Sequence, residues 1–349
     1  MNAAQNERGL LGLLDGFLKT KVLIGAYKLD LFTRCAEPRP RAQLLAELAL
    51  PERAGTILID ACVALGLLDE AAGHLTTPPA IASFLVRGAD RPFRTTTYLL
   101  DYYDEVFRAL VDFEELVRSD GATSTFKLRD YFKDDVGEVQ AEVAREYSTY
   151  MEATMGKIVE VVLAAYPFAR HRRLLDLCGN TGTFCAAVVA ATPGLSGTYL
   201  DVPACVALGE AELAARPELA ARVRGVAGDL FTSEFPPGHD VITMCRSAMD
   251  WGDERIGPIY AKIRDALPPG GRFLVIERML PEEVLPEALP LYLRAVYFLA
   301  KSRTTRYRTA AQHVALLRGA GFAEVEVIEP PRAPYELFQS MKIIAATKE

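Results

Sequence analysis

The chain of 349 residues predicts an α/β protein, a doubly wound parallel sheet preceded by a mostly helical unit with a winged-helix pattern. Two observations carry this expectation. From Arg173 onward, short apolar runs alternate with helix-like stretches and with turns rich in Gly and Pro, the pattern of strands joined by crossover helices. Before that point, apolar residues recur at helical spacing and are interrupted once by a hairpin signal. Half of the residues are hydrophobic, enough for a large core and more than one domain.

The first element is read over Leu10 to Leu31, where Leu11, Leu14, Phe17, Leu18 and Leu23 fall at helical positions with few polar groups between them. Something must cover that face. Arg41 to Leu48 and Ala54 to Leu65 read as two short helices, and Gly66 to Thr77 as a hairpin with Gly73 at its tip. Helix, helix and hairpin in this order form a winged helix-turn-helix, a motif common in regulators. A DNA reader would carry Arg, Asn or Gln on the second helix, and Ala54 to Leu65 has none and no basic face. Residues 1–97 are therefore expected to serve dimerisation, with DNA binding the distant alternative.

Residues 98–168 form the next block, with helices expected at Tyr98 to Gly121 and Val139 to Tyr166 around a polar, aromatic loop. Tyr147, Tyr150, Met151 and Met155 make a stripe at spacings of three and four. Such a stripe is either core packing or a pocket wall.

The third block, 169–349, opens with Arg173-Leu-Leu-Asp-Leu-Cys-Gly-Asn-Thr-Gly-Thr-Phe184. An apolar strand delivers Asp176 into a turn of small residues, and a helix begins beyond it. Gly179 and Gly182 remove Cβ atoms that would keep a ligand from the backbone, and the helix N-terminus offers free N–H groups. The spacing is not the G-x-G-x-x-G of nicotinamide sites. An acid before the turn would repel a pyrophosphate but suits a ligand that carries an ammonium and a sulfonium, which describes S-adenosyl-L-methionine. Gly197 to Asp201 then reads as a strand whose terminal carboxylate can accept ribose hydroxyls. Val226 to Phe231 contains a third strand ending at Asp229, and Asp240 to Cys245 a fourth. A helix over Glu254 to Leu267, a Pro268 to Gly271 turn and a strand over Arg272 to Glu277 complete the pattern.

The net charge of −7 argues against a nucleic-acid or anionic-membrane surface. No apolar run reaches spanning length and no signal segment is visible, so a cytoplasmic location is expected. The six cysteines lack metal-type spacing and read as reduced thiols; no metal site is expected.

In sum of motifs, the chain resembles the class I S-adenosylmethionine-dependent methyltransferases of the plant caffeate and hydroxyindole O-methyltransferase-like family, which has many bacterial members in natural-product pathways. The matching pieces are Leu-Asp-x-x-Gly-x-Thr-Gly at 175–182, Leu-Asp-Val-Pro at 200–203, Gly-Asp-Leu-Phe at 228–231, Asp-Trp-x-Asp-Glu at 250–254, Leu-Pro-Pro-Gly-Gly at 267–271, and Arg-Thr followed by Gly-Phe within 308–322. The resemblance covers nearly the whole chain. It implies a Rossmann-like sheet of seven strands, a small-molecule acceptor, and a homodimer whose N-terminal domains swap and close the partner's active site. It also implies that Gly179 and Gly182 approach the methionine moiety, that Asp201 holds the ribose, and that Asp229, Leu230 and Trp251 border the adenine. Asp176 and Cys245 complete the expected cofactor set. Tyr147, Met151 and Met155 would line the acceptor cavity on one side, with Met249, Tyr297 and Phe298 across from them.

The sequence departs from the family twice. Cys178 and Asn180 stand where the cofactor turn has glycines; Asn tolerates left-handed backbone angles, whereas Cys brings a side chain toward the cofactor. Met249 occupies the position of the histidine that takes the acceptor's proton, and methionine cannot accept one. His74, His171, His239 and His313 read as wing, pre-strand loop, loop and outer helix, so none is an evident replacement. Tyr147, Arg246, Asp250 and Arg294 are the remaining candidates to polarise or deprotonate an acceptor. Arg246 and Arg294 equally suit surface salt bridges, and Asp250 equally suits a helix cap. Three readings follow: transfer to oxygen or nitrogen with another base, transfer to an aromatic or enol carbon, or a retained cofactor serving hydroxylation or pericyclic chemistry. The sequence favours methyl transfer, and carbon as the acceptor.

Overall fold

The computed structural model describes residues 6–88, 94–126, 141–331 and 340–349. The polar aromatic loop expected before the long helix falls largely outside them, as do that helix's first two expected residues and the side chain of Tyr150. The chain divides into two compact units, residues 1–105 and 106–349, so the block expected at 98–168 is shared between them.

The first unit runs α1 (Glu7–Leu14), α2 (Gly16–Lys28), α3 (Leu31–Arg34), β1 (Arg39–Pro40), α4 (Arg41–Glu47), α5 (Glu52–Ala64), β2 (Asp69–Ala71), β3 (His74–Thr76) and α6 (Pro79–Leu85), and α7 (Arg94–Ala109) begins in it. The single helix expected over Leu10 to Leu31 is instead three. It breaks at Asp15 before Gly16, and again at Asp30, which takes the left-handed conformation at φ 62°. The hairpin turns at Ala72 and Gly73, both at positive φ as a tight two-residue turn requires, and β1 completes a small sheet in the order β1-β3-β2. Ile24, Leu31, Phe32, Leu44, Ile59 and Leu75 form its core. Within the single chain, Leu10, Leu11, Leu13, Leu14, Phe17 and Leu18 are each more than half exposed.

In the second unit, the helix expected over Tyr98 to Gly121 ends at Ala109 and resumes as α8 (Phe113–Arg118). The long α9 (Ala141–Ala165) leads into the sheet. There follow β4 (Arg173–Leu177), α10 (Thr183–Ala191), β5 (Ser196–Asp201), α11 (Pro203–Ala214), α12 (Pro217–Ala220), β6 (Val223–Ala227), β7 (Val241–Cys245), α13 (Asp253–Ala266), β8 (Arg272–Arg278), α14 (Leu289–Lys301), α15 (Ala310–Gly319), β9 (Glu324–Ile328) and β10 (Met341–Thr347). The seven strands lie in the order β6-β5-β4-β7-β8-β10-β9, with β10 antiparallel to both neighbours. The third strand ends at Ala227, so Asp229 stands two residues beyond it rather than at its end.

Both faces of the sheet are covered at its centre, which is why β7 and β8 read as near-continuous apolar runs, whereas the edge strand β9 alternates. Leu174, Val241, Leu274 and Ile343 point to the side of α9, α10 and α11. Their neighbours Leu175, Ile242, Phe273 and Ile344 point to α13 and α15. Strand order reverses between β4 and β7, and in open α/β sheets the crevice beyond the strand ends at such a point is where ligands bind. Among the described residues, no helix is long and apolar enough to cross a membrane.

Candidate functional site

The turn after β4 is fixed from below and from the side. Cys178, Asn180 and Gly182 all take left-handed backbone angles, at φ 53°, 54° and 75°. Asn180 stabilises its own turn, its side-chain oxygen accepting from the Thr181 N–H at 2.8 Å. At the end of β5, the Asp201 carboxylate accepts the Asn180 N–H and the Val202 N–H, each at 2.7 Å. Asp201 thereby ties the turn to the neighbouring strand, and the Cys205 thiol adds a third hydrogen bond to its carboxylate. Burial raises its proton affinity above the usual carboxylate range, and the two backbone donors oppose that rise.

The glycines have a different immediate cause from the one expected. A Cβ on Gly179 would lie 2.8 Å from Tyr199 Cβ, and one on Gly182 would lie 2.5 Å from the Tyr199 ring. Gly209 and Gly225 face the same side chain, with Tyr199 Oη 2.5 and 2.7 Å from their Cβ positions. The missing side chains make room for a buried tyrosine, and neither Gly179 nor Gly182 lines the cavity above. Asp176 also lies beneath the turn rather than in the cavity. It is 1% exposed, one oxygen accepts from Thr243 Oγ1 at 2.7 Å, and burial pushes its pKa to about 7.

Above the turn lies a cavity of about 780 Å³, counting its open mouth, within the usual range for small-molecule sites. Nine of the residues expected in the site line it: Tyr147, Met151, Asp201, Asp229, Leu230, Cys245, Arg246, Asp250 and Trp251. Asn180, Phe231 and Ser247 join them, as does Cys178, whose thiol burial raises well above its usual range. One wall is aromatic: Trp251 meets Phe231 edge-on at 4.8 Å between ring centres, and Arg255 stacks over Phe231 at 3.9 Å. Asp229 anchors the lower loop by accepting the Phe231 and Thr232 N–H groups at 2.9 and 2.8 Å.

Met155 belongs to the core instead, buried beside Ile158 and Val162. Each four-residue step on a helix of 3.6 residues per turn rotates the side chain by about 40°, so Tyr147 and Met151 face the cavity while Met155 has turned toward the sheet. Met249 and Tyr297 pack against a second cluster of Leu291, Phe298 and Tyr307, and none of these borders the cavity. Arg294 on α14 is half-buried and also lies off the cavity wall.

Asp250 does not cap the helix after it: the capping position is Gly252, without a side-chain bond. Its carboxylate pairs instead with the buried Lys301 ammonium at 2.6 Å. Arg246 likewise departs from the surface salt bridge. Its guanidinium donates to Thr154 Oγ1 at 2.9 Å and to Met151 Sδ at 3.4 Å.

No histidine lines the cavity. His171 sits between Tyr166 and Asp240, His239 between Thr198 and the Pro236 carbonyl, and His74 on the exposed hairpin. His313, expected on an outer helix, is 1% exposed against Tyr260, and burial drives its pKa down to about 3.

Glu277 is the polar group that sequence reasoning passed over. At the end of β8 it is 1% exposed, its Oε2 accepts the Met249 N–H at 2.8 Å, and its Oε1 has no hydrogen-bond partner. Burial pushes its pKa to about 8. A lone carboxylate closing the apolar run Phe273 to Ile276 was the available signal.

A family profile described as an O-methyltransferase domain matches residues 125–323. The chain is 28% identical over 330 residues to demethylspheroidene O-methyltransferase of Cereibacter sphaeroides, covering 93% of this chain and 84% of that one. It is 25% identical over 286 residues to L-tyrosine C(3)-methyltransferase of Streptomyces lavendulae, covering 80% and 77%. The crystal structure of human N-acetylserotonin methyltransferase in complex with SAM has the same fold, with a TM-score of 0.77 at 22% identity over 100% of this chain and 99% of that one. With more than half of its length matched, the chain belongs to the O-methyltransferase domain family, in its hydroxyindole and caffeate-like branch, and is an S-adenosylmethionine-dependent methyltransferase.

Proposed function

We propose that this enzyme methylates a small aromatic or enolic natural-product intermediate at a carbon made nucleophilic by a neighbouring phenol or enol oxygen. One observation carries the reading: the residue before Asp250 and Trp251 is Met249, packed among apolar side chains, and no imidazole lines the cavity. Methylation of a neutral hydroxyl calls for a proton acceptor at that oxygen. Attack by a phenol or enol carbon calls instead for polarisation of the oxygen, which hydrogen-bond donors can supply. The tyrosine C-methyltransferase among the relatives supports this chemistry within the family.

The cavity fits the cofactor on its donor set. Asp201 retains acceptor capacity for the ribose hydroxyls, and Leu230, Phe231 and Trp251 offer flat apolar surface to the adenine beside the Asp229 carboxylate. Cys178, Asn180 and Cys245, which line the same cavity, would hold the methionine end. When bound, S-adenosylmethionine supplies an electrophilic methyl group whose sulfur leaves as a neutral thioether. Tyr147 and Met151 would orient the acceptor, and Asp250, held by Lys301, would receive or steer a proton. The exposed apolar residues of α1 and α2 support a homodimer formed through the first unit.

Transfer to oxygen is the second reading, favoured by the Glu277 carboxyl with its uncommitted oxygen beside Met249 and by the O-methyltransferase relative. Incubation with methyl-labelled cofactor and a panel of phenols, enols and aromatic amino acids separates the two. A labelled carbon–carbon bond in the product NMR spectrum is expected; a labelled methyl ether in every product would refute carbon transfer.

A further inference from the structure

Helix α9 runs from the cavity into the core, and one acidic side chain marks the crossing. Its C-terminal half is buried through Met155, Ile158, Val159 and Val162, whereas Tyr147 and Met151 line the cavity. Between these stretches, the half-buried Glu152 accepts the Thr181 hydroxyl at 2.6 Å through Oε1. Thr181 has a single hydroxyl proton, so the Thr183 hydroxyl, 2.9 Å away, donates in turn to Thr181 Oγ1. Hydrogen bonds thus run from the first residue of α10 through the cofactor turn to α9. Burial raises the proton affinity of Glu152, and the Thr181 hydrogen bond opposes that rise.

Thr181 has little freedom of its own. It is 4% exposed, its N–H donates to Asn180 Oδ1 at 2.8 Å, and α11 backs it so closely that a Cβ on Gly209 would lie 2.3 Å from its carbonyl oxygen. Its neighbour Asn180 lines the cavity, as does Cys178, whereas neither Thr181 nor Glu152 does. A ligand that steadies residues 178–180 therefore also steadies the hydroxyl that Glu152 holds, and thermodynamic linkage makes the effect reciprocal. The polar tie from Arg246 to Met151 and Thr154 leaves from β7, so Glu152 is the side chain that joins α9 to the turn itself.

We propose that Glu152 is a positioning residue: through Thr181 it lets a cofactor seated on the turn fix the part of α9 that carries Tyr147 and Met151, so that the acceptor wall forms once the cofactor is in place. This rests on the assignment of the cavity to S-adenosylmethionine and adds an order of events to it. Glu152 acts through the turn and the helix rather than by touching either ligand. From Glu152 back to Tyr147 the helix rises about 7.5 Å, and a rigid helix carries the restraint over that length from turn to wall. An acceptor arriving first has to order the wall itself, whereas one arriving second finds it ordered.

Hydrogen–deuterium exchange of the full-length protein, with and without saturating S-adenosylhomocysteine, tests this. In the wild type the ligand should slow exchange in the turn, residues 177–184, and by at least about fivefold in residues 147–156 of α9. E152A and T181V should keep the slowing in the turn but hold that in α9 below about twofold, and the double variant should lose no more than either alone. E152Q, whose amide oxygen can still accept the Thr181 hydroxyl, should keep most of the slowing. A purely structural role would raise α9 exchange with and without ligand alike and leave the ratio unchanged, so the ratio is the readout. Calorimetry with S-adenosylhomocysteine verifies that each variant is folded and saturated. Slowing of α9 that persists in either E152A or T181V overturns the proposal, as does a wild type in which the turn is slowed and α9 is not. Failure of S-adenosylhomocysteine to slow the turn at all would remove the cofactor from this cavity, and the proposal with it.

Discussion

Glu277→Gln should make the ligand-free protein more stable, and by an amount that grows with pH. The carboxyl releases its proton near pH 8 rather than near 4.5 because it is buried. Below about pH 4.5 it is protonated in folded and unfolded chains alike and contributes no difference. Between there and pH 8 the unfolded chain gives up the proton while the folded one keeps it, so stability falls as pH rises. Above pH 8 both are ionised and the whole penalty remains, roughly 5 kcal/mol at about 1.4 kcal/mol for each tenfold change in proton activity. Glutamine mimics the protonated acid: its carbonyl can still accept the Met249 N–H, and its amide replaces the O–H. Urea unfolding followed through Trp251, the chain's single tryptophan, reports on the unit that contains Glu277. The variant should exceed the wild type by under about 1 kcal/mol at pH 5 and by several kcal/mol at pH 9. The raised pKa of Asp176 acts in both proteins and cancels from the difference. A gap that stays constant across this range would show that Glu277 is ionised in the folded protein at neutral pH, and the account of its burial would be wrong.

Three further outcomes are expected. Asp201→Ala should weaken S-adenosylhomocysteine binding by roughly 1.5–3 kcal/mol, the scale of hydrogen bonds to a charged group; calorimetry showing native affinity in a folded variant would remove Asp201 from the cofactor site. Gly182→Ala combines a strained backbone angle with a Cβ 2.5 Å from the Tyr199 ring, and should cost about 2–4 kcal/mol; a loss below about 1 kcal/mol in chemical denaturation would mean that the turn yields freely. Light scattering should find twice the chain mass, and any DNA binding should vanish at physiological salt; salt-resistant, sequence-selective binding would return the first unit to the regulators.

Much of this architecture was legible because burial on two sides writes itself into strands. Leu174 to Leu177, Val241 to Cys245 and Phe273 to Ile276 are apolar runs that could only be central, and the acids and glycines between them mark the strand ends. For the cavity wall the strands supplied only part: Asp201 reads as the carboxylate that ends its own strand, whereas Asp229, Leu230 and Trp251 came from the family resemblance, and Asp229 stands two residues past the strand that it was expected to end. What the sequence hid was direction. Tyr147, Met151 and Met155 share a spacing, yet helical drift sends the last into the core. Asp250 and Glu277 differ in partner rather than in type, and their partners lie 51 and 28 residues away along the chain. Helix ends at Asp15 and Ala109 were missed because apolar residues continue past both, and periodicity does not register a break that leaves the pattern intact.

Tyr199 lies beside four glycines. Its Cβ faces Gly179, its ring Gly182, and its hydroxyl Gly209 and Gly225, drawn from the cofactor turn, α11 and β6. Bulk at position 199 therefore bears on substitution at Gly182 and Gly225, whereas a Cβ on Gly179 also meets the Asp176 carboxylate and one on Gly209 meets the Thr181 backbone carbonyl whatever side chain stands at 199. A smaller residue at 199 would lift part of the steric objection at Gly182, although its φ of 75° would still resist a side chain. The turn that carries Cys178 and Asn180 to the cavity wall thus packs on an aromatic ring that the cavity itself does not contain.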